Sequence, residues 1–449
     1  MCKLRTVFAA VLIMFANVFS APAEDWTQWR GEDRLANWNE TGILDQFPEE
    51  GLRPTWKIDI GAGYSGPVVS NGKVITMDYF PKPETESAEA IERIICFDEE
   101  TGEERWVDQW ETHYREVMGS YRTGPRATPT IDGDRVYTLG SVGHIRCNDI
   151  NDGELIWSID SREKYDLLIP VFGTSIAPII DGDLVIYAPG GRDAPQLRAY
   201  NKMTGEEVWN ACHATYDLGY SQFVIFDHAG VRQLIYWDPQ FLRGLNPQTG
   251  EIYWEVPMAC QSAMCIATPI KSESQILVSS FYDGSMLVQL DDNKPAAKMV
   301  WHVKGQGERP HQTFGLHSVI TTPIIQGDHF YGTCSYGEFR GLRLSDSERV
   351  WENKEITRQG RWGSAFLVAN QDKYFMATDD GELLIIRFSP DGPEVIDRTK
   401  LIEPDTESGY GAKRFANAMV NWCHPAFANK HIIIRNDHQI VRVSLAKSE

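Results

Sequence analysis

The sequence predicts an all-β protein: an eight-bladed β-propeller of four-stranded antiparallel blades, closed by its own N-terminal strand. Three observations predict it. A phrase built from a small residue, an acid or amide, a tight turn and a tryptophan recurs along the chain. A second phrase, a short apolar strand entered at a Pro or Phe, precedes each copy. Eight such entries divide the chain into units of roughly 45 to 55 residues, the period of a propeller blade or a related repeat array.

The chain has 449 residues, 42% hydrophobic and 24% charged, an ordinary globular mixture that excludes disordered, collagenous and low-complexity classes. Its 63 acidic against 43 basic residues give a formal charge of −20, which excludes a general binder of nucleic acid or anionic membrane. The chain opens with Lys3 and Arg5, an apolar run over residues 7–19 and the small-residue site Ala21-Pro22-Ala23. That order is a secretory signal peptide over residues 1–23. The apolar run is too short for a membrane anchor, and Cys2 precedes it, where no lipid attachment signal would place it. The expectation is a periplasmic or secreted protein without a transmembrane anchor. Residues 24–53 form an N-terminal strap, and residues 54–449 a single propeller domain. Seven cysteines remain after Cys2, an odd number with no Cys-x-x-Cys pair, so a disulfide frame, a zinc ribbon and a redox pair are disfavoured.

The first phrase runs Cys96, Thr101-Gly102-Glu103, Trp106; then Cys147, Asp152-Gly153-Glu154, Trp157. It returns as Ala199, Thr204-Gly205-Glu206, Trp209, and as Gly244, Thr249-Gly250-Glu251, Trp254. A worn copy is Gly341, Ser347-Glu348, Trp351, and Trp301 fits a further copy whose turn is replaced by residues 291–297. Glycine in the turn takes positive φ without steric cost, and the strand after it sets an indole on one face to fill the wedge between sheets. Trp106, Trp157, Trp209, Trp254, Trp301 and Trp351 are therefore the expected blade-docking residues. Cys96 and Cys147 stand where other copies carry Ala or Gly, and read as small core residues.

The second phrase enters near Pro67, Pro129, Pro178, Phe223, Pro269, Pro323, Phe366 and Pro425, and most copies lead to a two-residue turn such as Asp132-Gly133. The last unit lacks a fourth strand, and Thr55-Trp56-Lys57-Ile58-Asp59 looks like the missing one, so head meets tail and no sheet edge stays open. Residues 81–93, with Glu84, Glu86, Glu89 and Glu92, read as a solvated insertion in the first blade.

The pattern Cys96-Phe97-Asp98, Thr101-Gly102, Trp106 and its copy Ala199-Tyr200-Asn201, Thr204-Gly205, Trp209 resembles the repeat of the pyrroloquinoline-quinone-type (PQQ-like) β-propellers. The resemblance covers nearly all of the chain after the signal. It is similar both to quinoprotein dehydrogenase propellers and to the outer-membrane β-barrel assembly lipoprotein. It implies the fold, with tryptophan and glycine docking adjacent blades, and is nearly silent about activity. The dehydrogenases of this family hold the quinone with Ca²⁺, using a catalytic Asp, a Glu and Asn at the metal, and often a disulfide between adjacent cysteines. This chain has no Cys-Cys dipeptide, no carboxylate that matches the catalytic motifs, and no lipid-attachment cysteine. The cofactor is unknown on this reading, PQQ with calcium lacks motif support, and no metal site is assigned.

Propeller topology places the loops entering each inner strand, with the second-to-third-strand turns, on one face around the axis. Those entry loops, residues 61–67, 119–127, 170–176, 218–223, 260–268, 313–321, 360–365 and 411–424, contain no Asp or Glu. They carry Tyr64, Arg122, Arg126, Phe172, Tyr220, His317, Arg361, Trp362, Arg414 and His424. The expectation is a cationic, aromatic-lined funnel in an acidic body, since arginine suits bidentate recognition of carboxylate, phosphate or sulfate. A plainer reading makes these residues fillers of a crowded axis. Asp193, Asp283, Glu338, Asp379 and Asp380 lie on turns of the same face, as metal ligands or as turn formers. Cys260 and Cys265 bridge a loop or remain core thiols. The leading function is a non-catalytic ligand- or protein-binding scaffold. Its partner is an anionic small molecule, an acidic glycan or an envelope protein, and the chain is a monomer. The alternatives are a PQQ/Ca²⁺-dependent dehydrogenase with an atypical site, or an enzyme acting on anionic sugars, which needs an acid/base pair these loops lack.

Overall fold

The structure, a computed structural model, describes residues 24–82, 88–119, 123–407 and 419–447. Eight four-stranded antiparallel sheets follow one another around a ring, and the only α-helix among the described residues is the five-residue Ser161–Tyr165. The inner strands begin at Val68, Thr130, Ile179, Val224, Ile270, Ile324, Ala365 and Ala426, each within one residue of its predicted entry. The eighth sheet consists of Ala426–Ala428, His431–Arg435 and Gln439–Ser444, completed by Pro54–Asp59 from the other end of the chain. Trp56 pairs with Arg442 and Ile58 with Ile440, so the ring is closed by hydrogen-bonded strands. Buried Arg435 adds to the closure, donating to Met77 O at 2.5 Å and Gly61 O at 2.6 Å.

The tryptophans show how neighbouring blades meet. Trp106 Nε1 donates to Ile150 O of the next blade at 3.0 Å, and Trp157, Trp209, Trp301 and Trp351 do the same to Lys202, Pro247, Leu344 and Ser389. Trp56 repeats the contact at the closing seam, donating to Glu99 O at 2.8 Å. The turn glycine lies against the ring: at Gly153 (φ +78°) a Cβ would come within 2.6 Å of the Trp106 indole. Such contact needs both the absent side chain and the left-handed backbone. Trp254 departs from the pattern. Blade five has no glycine turn at the matching place, and Trp254 instead donates to Gln233 Oε1 within its own sheet at 2.8 Å. Opposite the rings, Cys96, Cys147, Ala199, Gly244 and Gly341 pair with Trp106, Trp157, Trp209, Trp254 and Trp351.

One feature differs from the sequence reading. The region 81–93 is not simply a solvated insertion. Lys73–Pro81 and Glu89–Asp98 form one long hairpin, because the ladder continues to Pro81↔Ala90. Glu92 on it is fully buried, accepting from Tyr114 OH at 2.6 Å and Ser141 N at 3.0 Å, with its pKa raised by burial. The N-terminal segment packs against the inner strands. Trp26 pairs with Val69, Thr27 O accepts from Ile131 N, and Trp38 N donates to Ala369 O, all on inner strands. Arg34, 1% exposed, donates to Ala177 O at 3.3 Å and Phe223 O at 3.2 Å, and also to Pro178 O. The strap thus runs across the axis and fills the channel from the side away from the entry loops. Residues 1–23, read as a signal peptide, lie outside the described residues.

Candidate functional site

Each entry loop reaches the axis just before its inner strand, and together these loops surround a cavity of about 170 Å³. Every blade contributes to its lining: Tyr64, Arg126, Phe172 with Ser175, Tyr220 with Gln222, Met264 with Ile266, Val319 with Ile320, Trp362 and Trp422. The strap adds Trp29, whose Nε1 donates to Thr268 Oγ1 at 3.1 Å. Trp29 is the strap's contribution to the lining of this cavity. Its wall carries two groups of aromatic rings, with aliphatic side chains between them. Tyr64 stacks on Trp422 at 6.3 Å, Trp422 meets Trp362 edge-on at 6.2 Å, and Phe172 meets Tyr220 at 5.6 Å. The Arg126 guanidinium lies over the Tyr64 ring at 4.5 Å, a cation–π contact that holds a positive charge at the wall. No Asp or Glu is among the described lining residues. Ser175 Oγ and Trp422 Nε1 are buried polar atoms without a hydrogen-bond partner. Burial raises the Tyr220 pKa, keeping a neutral hydroxyl.

Of the ten residues expected at a funnel, Tyr64, Arg126, Phe172, Tyr220 and Trp362 line this cavity. Arg361 does not. Its guanidinium is held by Glu308 at 2.9 and 2.6 Å and by Tyr282 OH at 3.1 Å, and it lies 4.3 Å over Trp362. His317 is fully buried, its Nδ1 donating to Phe281 O at 2.9 Å, and burial pushes its pKa down to about 4. His424 is also buried, with Nδ1 donating to Pro425 O at 2.6 Å and a pKa pushed down to about 3, first by burial and then by Arg30. Both histidines are neutral core groups at neutral pH. Arg122 and Arg414 lie outside the described residues. Sequence reasoning missed Trp29, although two tryptophans three residues apart in a segment outside the repeat were a visible signal.

Two of the carboxylates expected on this face are engaged by cations. Asp379 accepts from Arg358 at 3.2 and 2.6 Å and from Ser364 N at 3.2 Å; burial outweighs the arginine and pushes its pKa up to about 6. Asp283 pairs with Lys304 at 2.7 Å. No group of three or more His, Cys, Asp or Glu among the described residues is placed to hold a metal ion. The seven described cysteines, Cys260 and Cys265 included, are buried free thiols. No helix among the described residues is long and apolar enough to cross a membrane.

The family model described as outer membrane protein assembly factor BamB matches residues 90–353 and 229–408. The outer membrane protein assembly factor BamB of Shewanella oneidensis is 22% identical over 344 residues, covering 73% of this chain and 68% of the relative. The quinoprotein alcohol dehydrogenase PedH of Pseudomonas putida is 29% identical over 147 residues, 31% of this chain and 24% of that enzyme. Among solved structures, the quinohemoprotein alcohol dehydrogenase of Comamonas testosteroni superposes with a TM-score of 0.59 at 12% identity, covering 97% of this chain and 82% of that one. At that identity the likeness is one of fold.

Proposed function

The chain belongs to the PQQ-like repeat propeller family that includes outer membrane protein assembly factor BamB, and on that basis we propose that it is an exported, non-catalytic binding scaffold of the cell envelope or the extracellular space. The cavity takes a small molecule with a flat or apolar body and one anionic group. The observation that carries this reading is the lining itself: among the described residues, six aromatic rings, one guanidinium and no carboxylate around about 170 Å³. Apolar walls with a few convergent polar groups are the ordinary anatomy of a ligand pocket. Arg126 supplies the charge, while Ser175 Oγ and Trp422 Nε1 offer hydrogen bonds to the ligand's polar end. An acidic glycan suits this cavity less well than a compact aromatic acid, because most of the wall is hydrocarbon. An acid/base pair for glycoside chemistry is missing from the lining. The exposed Leu168, Val171, Phe314 and Met419, on or beside the entry loops, support a protein partner on the same face.

Benzoate and its neutral isostere benzamide test the reading, with the fluorescence of Trp29, Trp362 and Trp422 as the signal. The expected result is saturable binding of benzoate that Arg126→Gln weakens by about tenfold, the loss of one charge-assisted hydrogen bond, with little effect on benzamide. Failure of both compounds to bind, or equal weakening of both, refutes it. The competing reading is a quinone-dependent oxidoreductase, favoured by the partial match to PedH. It requires dye reduction with an alcohol after addition of PQQ and Ca²⁺, a result that would displace the scaffold.

A further inference from the structure

Arg30 follows Trp29 in the strap and is 3% exposed. A guanidinium stays charged when buried and ordinarily faces a carboxylate or a full set of acceptors. Arg30 has neither. Among the described residues no Asp or Glu forms an ion pair with it, and its one hydrogen bond is long, from Nη2 to Leu35 O at 3.5 Å. Nη1 is buried and has no partner. Arg34, four residues on, shows what a satisfied guanidinium looks like in the same strap. It donates to Ala177 O, Phe223 O and Pro178 O, and through Nε to Gln28 Oε1 at 3.0 Å. Among the described residues no carboxylate offsets the burial of Arg30, whose pKa burial alone lowers. The ring of His424 lies 4.6 Å from that of Trp29, and His424 is held neutral. An unpaired positive charge and a vacant N–H thus meet in the plugged channel of a protein whose net charge is −20.

We propose that Arg30 binds a small inorganic monoanion of halide size inside the strap-filled channel. The ion accepts from Nη1 and neutralises the buried guanidinium. Arg30 is not among the residues lining the aromatic cavity, so this site is separate from the ligand funnel and does not rest on the reading of it. Size follows from burial: a residue 3% exposed leaves access to an ion and not to an organic acid.

The probe is bromide. The full chain is exchanged into sodium gluconate, and bromide is titrated at constant ionic strength while thermal unfolding is followed. Crystals grown in bromide are measured at its absorption edge. The expected results are an anomalous peak within contact distance of Arg30 Nη1 and a Tm rise of roughly 2 °C or more at saturation, absent in Arg30→Met. Bromide should also raise the pKa of the His424 ring, read by NMR, because it removes the repulsion from Arg30. The proposal is overturned if the bromide crystals show only water beside Nη1, or if Arg30→Met keeps the full Tm rise. Should that variant fail to fold, the wild-type diffraction and the His424 titration decide.

Discussion

Replacing Trp56 by alanine should cost the closed ring about 4 kcal/mol. Trp56 stands on Pro54–Asp59, the one strand that joins the two ends of the chain, and is 8% exposed. Burying a large aromatic side chain removes about 150–250 Å² from water, worth about 4–6 kcal/mol at ~25 cal/mol per Å². Measured truncations of buried aromatics fall at about 3–5 kcal/mol. The 2.8 Å bond from Nε1 to Glu99 O is lost as well, adding about 1 kcal/mol for a buried carbonyl left unpaired. Relaxation of the seam offsets part of the sum. Trp56→Phe keeps most of the hydrocarbon and loses the N–H, so it should cost about 1–2 kcal/mol. Urea unfolding, followed by far-UV circular dichroism and by fluorescence, measures both. Limited trypsin digestion of Trp56→Ala should then cut first at Arg53 or Lys57, as the strand leaves Gln439–Ser444. A loss below about 1 kcal/mol for alanine, or equal losses for both variants, would refute the argument that this indole welds the seam.

Acid should weaken the fold through His317. Its ordinary pKa of 6.5 falls to about 4 on burial, so below pH 6.5 the unfolded chain takes a proton that the folded one refuses. Stability is full above pH 6.5 and declines towards pH 4; His317→Asn should flatten the slope of Tm over that window. The seven thiols from Cys96 to Cys423 should react with Ellman's reagent only after denaturation. All are buried, and burial pushes Cys96 up to about 12 and Cys212 to about 11. A thiol that reacts at once in the native protein would contradict its placement. Arg34→Met should lose about 2 kcal/mol in urea unfolding, because three main-chain carbonyls lose a charged donor, and an unchanged midpoint would show that the strap is not held there.

The blades were legible because their signals are local. The turn glycine and the tryptophan four residues later report one hairpin, and repetition around the ring multiplies that report. Trp254 shows the limit: its own phrase is intact, and what differs is the missing turn in the blade beside it. The loops around the axis were legible as a set, and Tyr64, Arg126, Phe172, Tyr220 and Trp362 line the cavity they surround. Arg361 was not, because Glu308 approaches it from another loop 53 residues away. Glu92 looked solvated among neighbouring glutamates, and only the extended hairpin and Tyr114 reveal it as interior. The strap was least legible of all. It follows no repeat, and its contacts are made with residues that no short pattern could pair with it.

Those contacts set an order of assembly. Trp29 bonds Thr268 across 239 residues, and Asn370 donates to Trp38 O across 332. Trp26 and Thr27 can dock as soon as Val69 and Ile131 are in place, but Trp29 and Trp38 must wait until the fifth and seventh blades exist. Local hairpins form early and long loops close late, so these distant contacts, and the seam where Pro54–Asp59 meets Gln439–Ser444, are late and slow steps. A chain truncated before blade seven would keep the grip on Trp26, Thr27 and Trp29 and still leave Trp38 without its anchor, open to proteases at the segment that the finished molecule holds fast.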